Sequence, residues 1–140
     1  TAGRISDPEA RARLLEIVLL RQRAVAAWGF AQVTPCEVTR IDGSTIRLRD
    51  ESLAAGLAEP SATSYEAEVM GDEGERLATL GPLPVDGASV SVTLPAATVS
   101  SRDYVVVRVR ARRATEAAPR WLEVHAETTA DGLRLVGVRH

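Results

Sequence analysis

Residues Tyr104–Arg112 read Tyr-Val-Val-Val-Arg-Val-Arg-Ala-Arg, and this run decides the fold class. Side chains of an extended chain alternate with a period of two, so Val105, Val107, Val109 and Ala111 share one face. Arg108, Arg110 and Arg112 share the other. β-Branched residues on one side and guanidinium groups on the other describe a strand with a dry face and a wet one. On a helix the same residues would scatter around the whole circumference.

The period of two continues outward from this run. Upstream, Ser89–Leu94 turns Val90, Val92 and Leu94 one way, with Ser and Thr the other way. Ser64–Met70 sets Tyr65, Ala67 and Val69 against Glu66 and Glu68, and Gly71-Asp72-Glu73-Gly74 turns it into Arg76–Leu80. Gly81-Pro82-Leu83-Pro84 interrupts the pattern, because proline cannot donate to a ladder. Asp-Gly pairs are hairpin signals, since their backbone tolerates the turn that matches strand twist. Asp42-Gly43 joins Cys36–Ile41 to Ser44–Leu48, and Asp131-Gly132 joins Trp121–Thr128 to Leu133–Val138. Asp50–Thr63 reads as a loop with a helical turn near Leu53–Leu57. Seven or eight short strands of this kind predict a mostly β, antiparallel sandwich in a single domain spanning residues 1–140.

Ahead of the strands the period is 3.6. A helix is expected from about Asp7 to Trp28, packed on the sandwich, with Ser6 as cap, Pro8 in the first turn and Glu9 completing a capping box. Gly29 is the expected stop. Leu14, Leu15, Ile17, Val18, Val25 and Trp28 form a broad apolar arc, and Leu19 and Leu20 fall on either side of it. One sheet face cannot cover so wide a surface. Leu19 and Leu20 are therefore expected either beneath the chain's own loops or at a contact with another protein domain or a second copy.

From Cys36 to about Thr128 the order of strands resembles an immunoglobulin-like sandwich of the fibronectin type III kind. Tyr104–Ala111 resembles that family's sixth strand, in which an aromatic residue opens an alternating run. Leu94-Pro95 resembles the corner before the family's tyrosine. The resemblance implies a non-catalytic adhesion, spacer or docking module.

Composition excludes several classes. With 140 residues, 45% apolar and 26% charged, the chain is an ordinary globular one. A formal net charge of −2 gives no general attraction to nucleic acid or to an anionic membrane, and no apolar stretch reaches the length of a membrane span. All 17 basic residues are Arg, and neither Lys nor Asn occurs, which reads as a GC-rich, bacterial coding sequence. An opening at Thr1 reads as a processed chain or a piece of a longer one. A single Cys, Cys36, rules out an internal disulfide framework and a thiolate metal cluster. There is no phosphate loop and no nucleophile elbow, and no cofactor is expected.

The candidate chemistry lies on strand faces. Glu123, His125 and Glu127 line one face at ~6.8 Å spacing, whereas metal ligands must converge to ~2 Å from one point. The same three residues also fit a solvated face, and a small ligand- or metal-binding protein or enzyme is the alternative they support. Arg108, Arg110 and Arg112 can meet an anionic partner, or can be neutralised by Glu66, Glu68, Glu123 and Glu127 on flanking strands. Asp72, Glu73 and Glu75 lack the ligand spacing of a calcium loop. A carbohydrate-binding module would need an aromatic platform from Trp28, Trp121, Tyr65, Tyr104 or Phe30. The leading expectation is an interaction domain using Leu19, Leu20, Arg108, Arg110 and Arg112.

Overall fold

A computed structural model describes residues 6–113 and 118–140. Helix α1 (Pro8–Gln32) precedes strands β1 (Cys36–Asp42) and β2 (Thr45–Asp50) and a one-turn helix α2 (Glu51–Ala54). Strands β3 (Thr63–Met70), β4 (Arg76–Leu80), β5 (Val85–Asp86) and β6 (Ser89–Thr93) follow, then α3 (Ala96–Ser100), β7 (Tyr104–Arg113), β8 (Leu122–Thr129) and β9 (Gly132–Arg139). Two antiparallel sheets form, in the orders β1-β2-β6-β5 and β4-β3-β7-β8-β9. The mostly β sandwich implied by the alternating runs is the observed architecture.

The core lies between the sheets. On β7, Val105, Val107, Val109 and Ala111 are all fully buried, and register sets Val107 between Val69 of β3 and Val124 of β8. Ile46 and Leu48 of β2 and Val90 and Val92 of β6 close over them from the other sheet. Burying each such aliphatic side chain stabilises the fold by roughly 1.5–3 kcal/mol before entropy is counted.

The sheets are pinned at both ends. At one end the Asp42-Gly43 and Asp131-Gly132 turns meet, and the Leu133 N–H donates to the Gly43 carbonyl at 2.8 Å. Gly132 has φ +125°, and a Cβ there would lie 2.5 Å from the Gly43 Cα, so glycine is required. At the other end fully buried Asp50 closes β2. Its Oδ1 accepts from the Ser52 and Leu53 N–H groups at the start of α2 (2.8 and 3.1 Å). Its Oδ2 accepts from the Tyr65 hydroxyl at 2.5 Å and from Arg113 at 2.6 Å, so one carboxylate joins both sheets.

Three local expectations are corrected. Asp7, not Ser6, caps α1, accepting from the Glu9 N–H at 3.0 Å. The helix also runs through Gly29 to Gln32, because Gly29 does not take up the left-handed conformation and the stop comes from pairing of the next residues. Most consequentially, α1 does not lie packed on the sandwich, since none of its 25 residues is buried. The short β5 and α3 fall where the alternating pattern is interrupted, at Pro84 and Pro95, and were not anticipated.

Candidate interaction surface

Thr34 fixes where α1 leaves the sandwich. Its N–H and its hydroxyl both donate to the Arg120 carbonyl, at 3.1 and 2.9 Å. Its hydroxyl oxygen accepts from the Ala111 N–H of β7 at 3.2 Å, and the Arg120 N–H donates back to the Gln32 carbonyl at 3.1 Å. A hydroxyl both donates and accepts, so this one buried side chain satisfies backbone groups on two segments at the root of the helix.

Beyond that root the helix runs for about 37 Å, of which about 22 Å, from Pro8 to Gln22, projects clear of the sandwich. Only Ala26, Ala27 and Gly29–Ala31 are partly covered, and Arg23 reaches the Gly56 carbonyl at 3.2 Å. The eight large apolar side chains of α1, from Leu14 to Trp28, are each 37–69% exposed, with Leu19 at 49% and Leu20 at 61%. Together they present on the order of 800 Å² of apolar area, above the few hundred Å² of an ordinary monomer's largest patch. The loops around Asp50–Thr63 and Gly81–Gly87 leave this surface open. No helix among the described residues is long and apolar enough to cross a membrane.

The arginine stripe is engaged inside its own sheet. Register lines up Glu68, Arg108, Glu123 and Arg139 across four strands, with Arg108 3.8 Å from Glu68 and 3.5 Å from Glu123. Arg110 and Arg112 both hold Glu66, at 2.5 and 3.0 Å. Burial alone would raise the Glu66 carboxyl, but the hydrogen bonds from Arg112 and Arg110 outweigh it and hold the group below the usual carboxylate range. Trp121 lies beneath Arg108 and Arg110, 5.0 and 4.3 Å from its ring centre, so its face serves a cation–π contact. Cross-strand pairs of this kind contribute roughly 0.2–1 kcal/mol each.

Glu123, His125 and Glu127 share the outer face of β8, but their side chains do not converge. His125 Nδ1 lies 2.7 Å from the Tyr104 hydroxyl, its Nε2 is 3.9 Å from Glu123, and Glu127 pairs with Arg134 of β9. Asp72 and Glu75 are drawn to Arg102, at 3.6 and 3.0 Å. Among the described residues no group of three or more His, Cys, Asp or Glu is placed to hold a metal ion. Of the candidate platform aromatics, Tyr65 is buried and Trp121 is occupied by guanidinium groups. Cys36 is buried beside the Asp50 cluster, and burial together with the Asp50 charge pushes its thiol far up, the reverse of what a nucleophile needs.

Sequence reasoning missed the root at Thr34 and Arg120, which is a long-range pairing with no local signature. It also missed a smaller apolar edge on β9, where Leu135, Val136 and Val138 are 40–54% exposed. The signal for that edge was the break in alternation at Leu135-Val136, which is where the β8–β9 register shifts. Comparison with known proteins finds no matching family model, no matching curated protein and no matching solved structure.

Proposed function

We propose that this chain is a non-catalytic interaction domain, an immunoglobulin-like sandwich that holds α1 out as a protein-docking arm. One observation carries the reading: α1 is rooted by buried hydrogen bonds at Thr34, yet buries none of its own residues. An uncovered apolar arm on a well-anchored base loses no fold stability when a partner covers it, and gains the burial. Apolar residues are not confined to one face of its middle with a charged face opposite, as a helix lying in a lipid surface requires, so a protein partner suits it better.

The strand order supports the immunoglobulin-like part of the proposal. In that arrangement strands A, B, E and D form one sheet and C, F and G the other. Here β1, β2, β6 and β5 correspond to the first set, and β3, β7 and β8 to the second. Strands β4 and β9 extend the second sheet on either side.

The test is a photo-crosslinking residue placed at position 20 in the full chain, expressed in its own cells. Position 131, in the β8–β9 turn, is the control. The expected result is a protein adduct at position 20 that is absent at 131. Equal or no labelling at the two positions would sink the proposal.

A further inference from the structure

Along α1, Ala10, Leu14, Ile17, Ala24 and Trp28 fall, together with Arg21, on one line spaced alternately four and three apart, the repeat that lets one helix follow another along its length. At ~100° per residue this seam points roughly opposite to Arg23 and Phe30, the side on which α1 meets its own sandwich. The seam therefore faces away from the protein's own body, and it asks for a second helix. α1 is a 25-residue helix, whereas α2 and α3 have four and five residues.

We infer that the occupant is α1 of a second copy of this chain, paired antiparallel about a two-fold axis near residue 19; this rests on the reading of α1 as a docking arm. Size complementarity selects the register. With the axis at residue 19, Trp28 meets Ala10 of the partner subunit, Leu14 meets Ala24 of the partner subunit, and Ile17 packs on the stem of Arg21 of the partner subunit. Each large side chain thus faces a small one or a flexible stem. The flanks agree: beside the axis the seam is bordered by Val18 on one side and Leu20 on the other, whereas further out it is bordered by Arg11 and Arg13. A dry centre with charged ends is the pattern of an interface centred there. In a parallel pair Arg21 would instead face its own copy.

The area suffices. The six large apolar residues on the seam and its flanks expose on the order of 600 Å² per copy, so a pair covers ~1,200 Å², within the range of specific interfaces. Leu19 and Leu15 lie on the back of this seam and stay outside the contact. Two adjacent exposed leucines thereby acquire opposite roles, with Leu20 inside and Leu19 outside.

Sedimentation across a concentration series tests this on the full chain, with thermal melts alongside. Wild type is expected to dimerise at micromolar concentration, and Leu20→Glu to weaken the dimer by about 100-fold, because its charge would be buried against Leu20 of the partner subunit. Leu19→Glu is expected to dimerise as wild type does, and both variants to unfold cooperatively, with melting like that of wild type at concentrations below its dimer Kd. Orientation is read by mixing Ala10→Cys with Trp28→Cys under oxidising conditions, which should give the mixed disulfide. A monomeric wild type, an equal loss in both leucine variants, or the absence of the mixed disulfide each overturns the inference. If crosslinking at position 20 then captures a different protein, the docking arm stands and the self-pairing falls.

Discussion

Replacing Asp50 by Ala removes the carboxylate on which one end of the sandwich depends. Arg113 would keep its charge with its side chain only 12% exposed, Tyr65 would lose its acceptor, and two N–H groups of α2 would lose their cap. Removing one partner of a buried ion pair costs about 3–5 kcal/mol. A lost cap adds about 1 kcal/mol and an orphaned hydroxyl about 1–3 kcal/mol, less than additively since the groups are one network. The expected loss is thus about 5 kcal/mol, a large part of the roughly 5–15 kcal/mol that holds a domain folded. Urea unfolding followed by far-UV circular dichroism measures it. Asp50→Asn, which keeps the cap acceptor, serves if the alanine variant fails to fold. Arg113→Met should cost about 3 kcal/mol by itself, and the double variant should cost about 2–3 kcal/mol less than the sum, because the orphaned charge is then gone. A coupling under about 0.5 kcal/mol would refute the claim that this pair clamps the two sheets.

Three other outcomes follow from the same geometry. Val107→Asp should abolish cooperative folding, since Val107 is fully buried between Val69 and Val124 and an unpaired carboxylate there costs several kcal/mol; a soluble variant with unchanged melting would contradict the placement. Gly132→Ala should cost about 2–3 kcal/mol through backbone strain and the collision with Gly43, whereas the same change at Gly137, where nothing lies within 4 Å, should cost far less by the same thermal melts. Tyr65 and Cys36 are both held protonated in the fold, first by burial and then by Asp50, and both ionise once exposed. Their raised values mean that their contribution is complete below the unfolded thiol's value of about 8.5 and is lost as pH rises above it. The urea midpoint should therefore fall on the alkaline side, and a thiol reagent at pH 8 should label Cys36 at the unfolding rate; immediate labelling would contradict its burial.

The dry and wet faces of β3, β6, β7 and β8 were legible residue by residue, because a period of two is a local property and burial follows it directly. So was the meeting of Glu66 and Glu68 with the arginine stripe, once flanking strands were assumed. The glycines of the Asp42-Gly43 and Asp131-Gly132 turns were legible too, since a positive φ is written in the residue type. That the two turns touch one another was not, because the contact joins residues 43 and 132.

What the sequence by itself determined, then, is the alternation of strands, the position of the helix and the impossibility of covering that helix with one sheet. Tertiary structure alone decided how the helix ends and where it points. Gly29 is a good local stop, but the hydrogen bonds from Thr34 to Arg120 and from Ala111 to Thr34 set the end three residues later. Those bonds hold α1 by its last turns, so its apolar arc, plain from composition, faces outward instead of inward. Tertiary structure likewise kept Glu123, His125 and Glu127 from converging on one point, because Tyr104 and Arg108 on β7 and Arg134 on β9 engage them, and only His125 and Glu123 stay within 3.9 Å of each other. Local propensity chooses an element, but partners distant in the chain choose which of its faces is left for the outside.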